Sequence, residues 1–224
     1  MIINGDCVVE LKTIPDDSVD MVLTDPPFNV GLEYNSVDDS MPDEHYRDWC
    51  IQWLTELKRV LKPGHVAIVF TGDAKSYWLF DAIYKSGFVF NHWIKWIKMN
   101  SQGNLPGTAF LNKVELAFLC SKDKLNRSII NRKEMNADYI ICNNMNIKSK
   151  GSWGHIAQRP LELYAKLIKG FTQEGDTVLD PFLGSGTTAE ASLLLNRKCI
   201  GIEIDETYYK KIVKRIKLTG GKLF

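Results

Sequence analysis

Residues 177–190, Thr-Val-Leu-Asp-Pro-Phe-Leu-Gly-Ser-Gly-Thr-Thr-Ala-Glu, constrain the fold of this chain more than any other stretch. Thr177, Val178 and Leu179 are apolar or β-branched and follow the turn signal Glu174-Gly175-Asp176, which predicts a short buried strand. Asp180-Pro181 ends it, because proline has no N–H to give to a ladder. Gly184-Ser185-Gly186 then predicts a tight turn, with Thr187 or Thr188 capping a helix to about Asn196. Such a strand, turn and helix start brings backbone N–H groups close to a small ligand. About twenty residues on, Lys198 to Glu203 reads as a second strand whose final carboxylate suits a ribose diol. A pocket for a nucleoside-type cofactor is predicted. A single strand–helix pair follows the turn, so the rest of any sheet must come from upstream.

Upstream, Met1 to Gly5 reads as a short strand ending at Asp6-Cys7, and Val8 to Ile14 as a short helix. Val19 to Thr24 is a clear buried strand that runs into Asp25-Pro26-Pro27-Phe28. Two successive prolines stop the ladder and fix the backbone, so Asp25 and Phe28 are held at the strand's carboxyl edge. Residues 29–44 are acidic and weakly periodic and read as a mobile loop able to close over a ligand. Asp43 is expected to cap a helix over about 45–61 that stops at Lys62-Pro63-Gly64. Strand Val66–Thr71, a helix near 73–86, strand Phe88–Lys98 and strand Val114–Cys120 follow, the last antiparallel because its link is short. Residues 122–154 read as loop with one short helix; Arg159 to Phe171 is amphipathic, and Asp205 caps a final helix to about Leu218.

The alternation predicts an α/β fold: a doubly wound, mostly parallel sheet with one antiparallel strand, covered on both faces, in a single domain over 1–224. Ligands of such sheets bind outside the carboxyl ends of the strands, where the strand order switches direction. If strands 19–24 and 177–180 are neighbours, Asp25-Pro-Pro-Phe and the glycine turn face one crevice.

Together they suggest a chemistry. A carboxylate and a proline-aimed carbonyl are two close acceptors, and Phe28 adds an aromatic face. An exocyclic amino group on a planar base, with two N–H donors and a π-face, matches that set. Accepting both N–H bonds localises the nitrogen lone pair and makes it a better nucleophile. Gly184-x-Gly-x-x-Ala with Glu203 on a ribose also suits a nicotinamide dehydrogenase, a reading that leaves Asp25-Pro-Pro-Phe without a part.

Asp25-Pro26-Pro27-Phe28, followed far downstream by Asp180-Pro-Phe-Leu-Gly-Ser-Gly-Thr-Thr, resembles the amino-group DNA methyltransferases of the circularly permuted β class. Asn4-Gly5-Asp6-Cys7, Leu61-Lys62-Pro63-Gly64, His155-Ile-Ala-Gln-Arg159-Pro160 and Gly201-Ile202-Glu203 resemble further motifs of that family, in its order. The resemblance implies S-adenosylmethionine as methyl donor and the N6 of a flipped-out adenine as acceptor, with cytosine N4 as the alternative and an RNA or protein amino group a remoter one. Asp25, Pro26, Pro27 and Phe28 would be catalytic. Asp6, Cys7, Asp25, Asp180, Phe182, Gly184, Ser185, Gly186, Thr187, Glu203 and Ile204 would hold the cofactor. Phe28 replaces the commoner tyrosine of this motif, and Arg159 stands where lysine is usual.

Composition fits this picture. The net charge is only +1, yet residues 1–45 hold eleven acids against one lysine. Lys122, Lys124, Arg127, Arg132, Lys133, Lys148 and Lys150 make 122–150 basic, a candidate contact for double-stranded DNA and, at about 122–154, the candidate target-recognition segment. Cys7, Cys50, Cys120, Cys142 and Cys199 lie scattered with no Cys-x-x-Cys, which argues for a reduced, cytoplasmic setting without disulfides or a metal. No apolar run is long enough to span a membrane. The resemblance also allows a homodimer and a cognate restriction endonuclease acting separately.

Overall fold

The computed structural model describes residues 1–32, 39–101, 103, 108–145, 153, 155 and 157–220. Strand β1 (Ile2–Asn4) leads into helix α1 (Cys7–Glu10), which Asp6 caps by accepting the Val8 N–H at 2.7 Å. All six residues of β2 (Val19–Thr24) are buried. Its alternation splits them between two cores: Val22 packs toward α2 (Asp43–Val60) and α3 (Ser76–Lys85), while Met21 and Leu23 pack toward α4 (Leu161–Phe171). The remaining elements are β3 (Leu61–Thr71), β4 (Val89–Ile97), β5 (Val114–Ser121), β6 (Tyr139–Ile141), β7 (Thr177–Asp180), α5 (Thr187–Leu194), β8 (Lys198–Glu203) and α6 (Glu206–Leu218).

Among the described residues the strands form one sheet in the order β1-β8-β7-β2-β3-β5-β4-β6. β5 is antiparallel to both of its neighbours and every other pairing is parallel. β2 and β7 are adjacent, with Met21 opposite Val178 and Val22 opposite Leu179, which meets the condition under which the two motifs share a crevice. From β2 the chain winds to β3 on one side, and from β7 to β8 on the other. The switch point therefore lies between β2 and β7, at the strand ends that carry Asp25 and Asp180.

Four local expectations are corrected. Strand β6 lies inside the segment read as loop; three residues, exposed, buried and exposed, are too few to show a period. Lys62-Pro63-Gly64 does end α2, but as a bulge within β3, where the register to β2 jumps from Val19–Leu61 to Met21–Val66. Asp43 is the first residue of α2, with Pro42 at the cap position. Gly186, in a left-handed conformation at φ 83°, takes the cap position of α5, and Thr187 and Thr188 are buried inside its first turn. Of the acidic loop, residues 33–38, Asp38 included, lie outside the described residues. Asp39 is buried, and its carboxylate accepts N–H bonds from Asn29, Val30 and Leu32, so an acid clasps the start of that loop although Val30 and Leu32 stay exposed.

Candidate active site

A cleft of about 310 Å³ opens at the switch point. Asp25, Pro26, Pro27 and Phe28 form one wall; Asp180, Phe182, Gly184, Ser185 and Thr187 form the facing wall. Asp6, Cys7, Glu203 and Ile204 line one end. The catalytic and cofactor residues expected from sequence, Gly186 apart, thus line one space. Gly186 stands just behind it, at the start of α5.

The two motif-bearing strand ends are tied directly. Asp180 is buried, and its carboxylate accepts from Thr24 Oγ1 at 2.8 Å, from Thr188 Oγ1 and from the Phe182 N–H at 3.1 Å. Burial pushes its carboxyl up to about 6 against those hydrogen bonds. Asp180 is therefore the joint between β2 and the glycine turn, with little of its carboxylate turned to the cleft. Gly184 has φ 53°, a left-handed conformation that glycine adopts without strain. Its N–H donates to Glu203 Oε2 at 2.7 Å, and the Asp205 N–H donates to Glu203 Oε1 at 2.9 Å. One lone pair on each Glu203 oxygen is then left for a ligand.

Burial pushes the Glu203 carboxyl up to about 7, although the Asp205 and Gly184 N–H groups oppose the rise. The native state thus holds this proton more tightly than the unfolded chain does, and stability is lost as pH rises from the ordinary value of 4.5 through about 7. The denaturation midpoint is expected to rise when pH falls from about 8 to about 5.5, and Glu203→Gln to flatten that rise. Chemical denaturation of both proteins across this window checks it; identical pH slopes would contradict it.

Sequence reasoning singled out neither the aromatic wall nor the ion pairs behind Asp25. Trp49 and Trp53 pack on Phe182 with ring centroids at 5.5 and 5.2 Å, and Tyr46 donates its hydroxyl to the Pro27 carbonyl at 3.0 Å. The helical period of α2 marks these residues as core, without showing that this core reaches the cleft. His155 lies over Gly184, packed on Tyr208 with ring centroids at 4.5 Å. Burial first, and then the Arg159 and Lys211 charges, lower it to about 4, so its imidazole is neutral. Arg159, which also lines the cleft, clasps Asp25, with Nε 2.5 Å from Oδ2 and Nη2 2.8 Å from Oδ1. Phe28 lies 5.9 Å from that guanidinium and against Gly72, where an added Cβ would come within 2.9 Å of the ring.

The described basic residues of that segment are not brought to this cleft. Lys122 pairs with Asp17 and with the Arg59 carbonyl, at the amino ends of β2 and β3. Ser121, just before it, pairs with Val66 and Val89 at that same edge, and the Asn126 N–H donates to the Gly64 carbonyl. The Asn131 N–H reaches the Gly170 carbonyl at the far end of α4, a helix that starts beside Arg159 and spans roughly 16 Å. Lys122, Lys124, Arg127, Arg132 and Lys133 therefore sit on the opposite edge of the sheet from Asp25. Their clustering in sequence carried no information about which edge they occupy. Lys148 and Lys150 lie outside the described residues. Among the described residues no group of histidine, cysteine or carboxylate side chains is arranged to hold a metal, and no helix is long and apolar enough to cross a membrane.

A family model described as DNA methylase, of the N6 and N4 type, matches residues 19–215. The type II methyltransferase M.HinfI of Haemophilus influenzae is 33% identical, over 96% of this chain and 68% of that protein. M.HpaI of Haemophilus parainfluenzae, another type II methyltransferase, is 30% identical over 96% of this chain and 73% of its own length. Among solved structures, the cytosine-N4-specific PvuII DNA methyltransferase shares the fold with a TM-score of 0.79 at 21% identity, covering 96% of this chain and 85% of that one. The M1.HpyAVI–SAM complex gives a TM-score of 0.73 at 25% identity, covering 96% and 98%.

Proposed function

The chain belongs to the N6/N4 family of DNA methylases, and we propose that it moves a methyl group from S-adenosylmethionine to the exocyclic N6 of an adenine flipped out of duplex DNA. The observation that carries the reading is the single cleft in which Asp25-Pro26-Pro27-Phe28 faces the Asp180-to-Thr187 turn across a strand switch point.

The donor set fits the cofactor. A ribose diol needs acceptors, and Glu203, once ionised above about pH 7, has a lone pair left on each oxygen; an α-carboxylate needs N–H donors, and the first turn of α5 carries N–H groups that make no bond within the helix. The apolar wall of Phe182 and Ile204 suits a purine, with Asp6 and Cys7 beside it. When bound, S-adenosylmethionine supplies an electrophilic methyl group. Asp25, with the Pro26 carbonyl, accepts the two amino N–H bonds of the base, and Phe28 stacks on its ring. Localising the nitrogen lone pair in this way favours the tetrahedral geometry of the transition state over the flat ground state. The surplus proton leaves only after methylation has made the nitrogen acidic, so Asp25 need not be a strong base. The catalytic motif precedes the glycine turn in the chain, an order that supports the permuted β-class arrangement. The whole of 1–224 then acts as one catalytic domain.

An acid at the head of the Pro-Pro motif favours adenine as acceptor. Incubation with S-adenosylmethionine and unmethylated genomic DNA, digestion to nucleosides and mass detection test this. N6-methyladenine is expected; N4-methylcytosine would keep the mechanism and overturn the choice of base.

DNA is expected to approach from the carboxyl edge of the sheet, leaving the basic amino edge free. Arg127→Glu combined with Lys133→Glu should leave DNA affinity within about twofold of wild type, with the same salt slope. A shallower slope of log affinity against log salt in a binding titration would put DNA on the other edge.

A further inference from the structure

Asp25 heads a chain of alternating charges whose other members lie outside both the catalytic motif and the cofactor motif. The Arg159 fork holds both Asp25 oxygens, its third nitrogen pairs with Glu115 on β5, and Lys98 Nζ donates to the other Glu115 oxygen at 2.9 Å. Lys98 is itself anchored by Asn112 Oδ1 at 3.0 Å. The four charged side chains are between 4 and 18% exposed, so these pairs are little screened by water. Aromatic rings hold the guanidinium in place, with Phe70 and Trp96 each 5.5 Å from it. Its main chain is tied to the cofactor turn, where Thr187 Oγ1 donates to the Arg159 carbonyl at 3.3 Å.

We propose that Arg159 is a positioning residue that keeps the Asp25 carboxylate charged and in one orientation, and that Glu115 and Lys98 fix its guanidinium from behind. The inference rests on the methyl-transfer reading for its kinetic consequence alone. A carboxylate offers about four lone-pair sites, and the bidentate fork takes one on each oxygen, leaving room for the one amino N–H bond that Asp25 accepts beside the Pro26 carbonyl. A protonated Asp25 would set a hydrogen on an oxygen that the fork and the amino group both need. The groups facing it are Arg159 ahead of α4, Tyr164 on α4, Glu115 on β5, Asp180 on β7 and Tyr46 on α2. Burial raises Asp25, the Arg159 cation opposes that rise, and Glu115 adds to it; Arg159 is the one cation in that set. Burial also works against the charge on Glu115, yet Arg159 and Lys98 bring it below the usual carboxylate range. Arg159 itself remains a cation. A lysine at 159 could meet one of the two carboxylates well, but has no planar fork with which to bridge both.

The test reads Asp25 directly. Protein labelled with ¹³C at aspartate Cγ is titrated by NMR, the Asp25 signal being the one that Asp25→Asn removes. In Arg159→Gln the Asp25 titration is expected to move upward by about one to three pH units. Arg159→Lys keeps the charge but not the fork: it should leave the Asp25 titration near the wild-type one while single-turnover methyl transfer still falls, and it serves in place of Arg159→Gln if that variant does not fold. In Arg159→Gln, methyl transfer should fall at neutral pH and recover as pH rises, with the KM for S-adenosylmethionine nearly unchanged. An Asp25 titration that is the same in wild type and Arg159→Gln, an Arg159→Gln rate loss that is equal at every pH, or a wild-type transfer rate in Arg159→Lys would overturn the proposal. The titration needs no activity. A shifted Asp25 in a protein that transfers no methyl group would uphold the positioning role and fail only the functional reading.

Discussion

Asp25→Ala should abolish methyl transfer while leaving S-adenosylmethionine bound within a few-fold of wild type. Removing one preorganised partner of a developing charge costs about a hundredfold to a thousandfold in rate. Asp25 is the charged member of the acceptor pair and its removal leaves the Pro26 carbonyl alone, so the loss should lie at the upper end of that range. The fold should survive. The Arg159 guanidinium keeps Glu115 as a counter-charge and its aromatic surroundings, and Asp180, rather than Asp25, holds β2 to the glycine turn. Asp25→Asn, which keeps one acceptor oxygen, should lose less. Equilibrium binding of labelled cofactor beside single-turnover transfer measures both quantities on the same preparations. Transfer retained in Asp25→Ala would remove this carboxylate from the chemistry.

The second large effect is expected at Gly184. A side chain there must adopt φ near 53°, which costs about 1–2 kcal/mol outside glycine. Its Cβ would come within 3.1 Å of His155 Nε2, a neutral imidazole already packed on Tyr208. Either the imidazole or the turn must shift, and a turn that shifts, or that relaxes from this φ, draws the Gly184 N–H away from Glu203 and weakens the link between the two ends of the cofactor cleft. Gly184→Ala should therefore raise the Kd for S-adenosylmethionine about tenfold, which corresponds to about 1.4 kcal/mol. At saturating cofactor the transfer rate should stay close to wild type, because Asp25 and Phe28 are untouched. This split between Kd and kcat is the reverse of the one at Asp25. A Kd unchanged by the substitution would mean that the turn does not hold the cofactor.

The two strands that frame the site were legible in the sequence because each is a compact apolar run stopped by proline. Val19–Thr24 ends at Asp25-Pro-Pro and Thr177–Asp180 at Pro181, so both strand ends, and hence both motifs, could be placed before any tertiary contact was known. Their adjacency entered the sequence reading only as a condition, which the pairing of Val22 with Leu179 fulfils. Strand β6 left no trace, since one buried residue among three sets no period. The Asp25–Arg159–Glu115–Lys98 chain was equally silent. Its members stand far apart in sequence, and a charged residue in a strand looks the same whether it faces water or a buried partner. The edge occupied by the basic residues was out of reach for a related reason: the antiparallel direction of β5 sends the chain back to the amino edge before Lys122 begins. Local pattern reports the elements and their ends, whereas side-chain pairing across the sheet depends on strand order.

The most direct test of the central claim is a single-turnover chase. The protein is loaded with S-adenosylmethionine labelled in the methyl group and mixed with unmethylated genomic DNA. The acid-insoluble product is then counted after alkali to remove RNA and protease to remove protein. Label that survives in DNA, appears with wild type and is missing with Asp25→Ala is the predicted result. Cofactor bound in measurable amount, with no label entering DNA, would contradict the account.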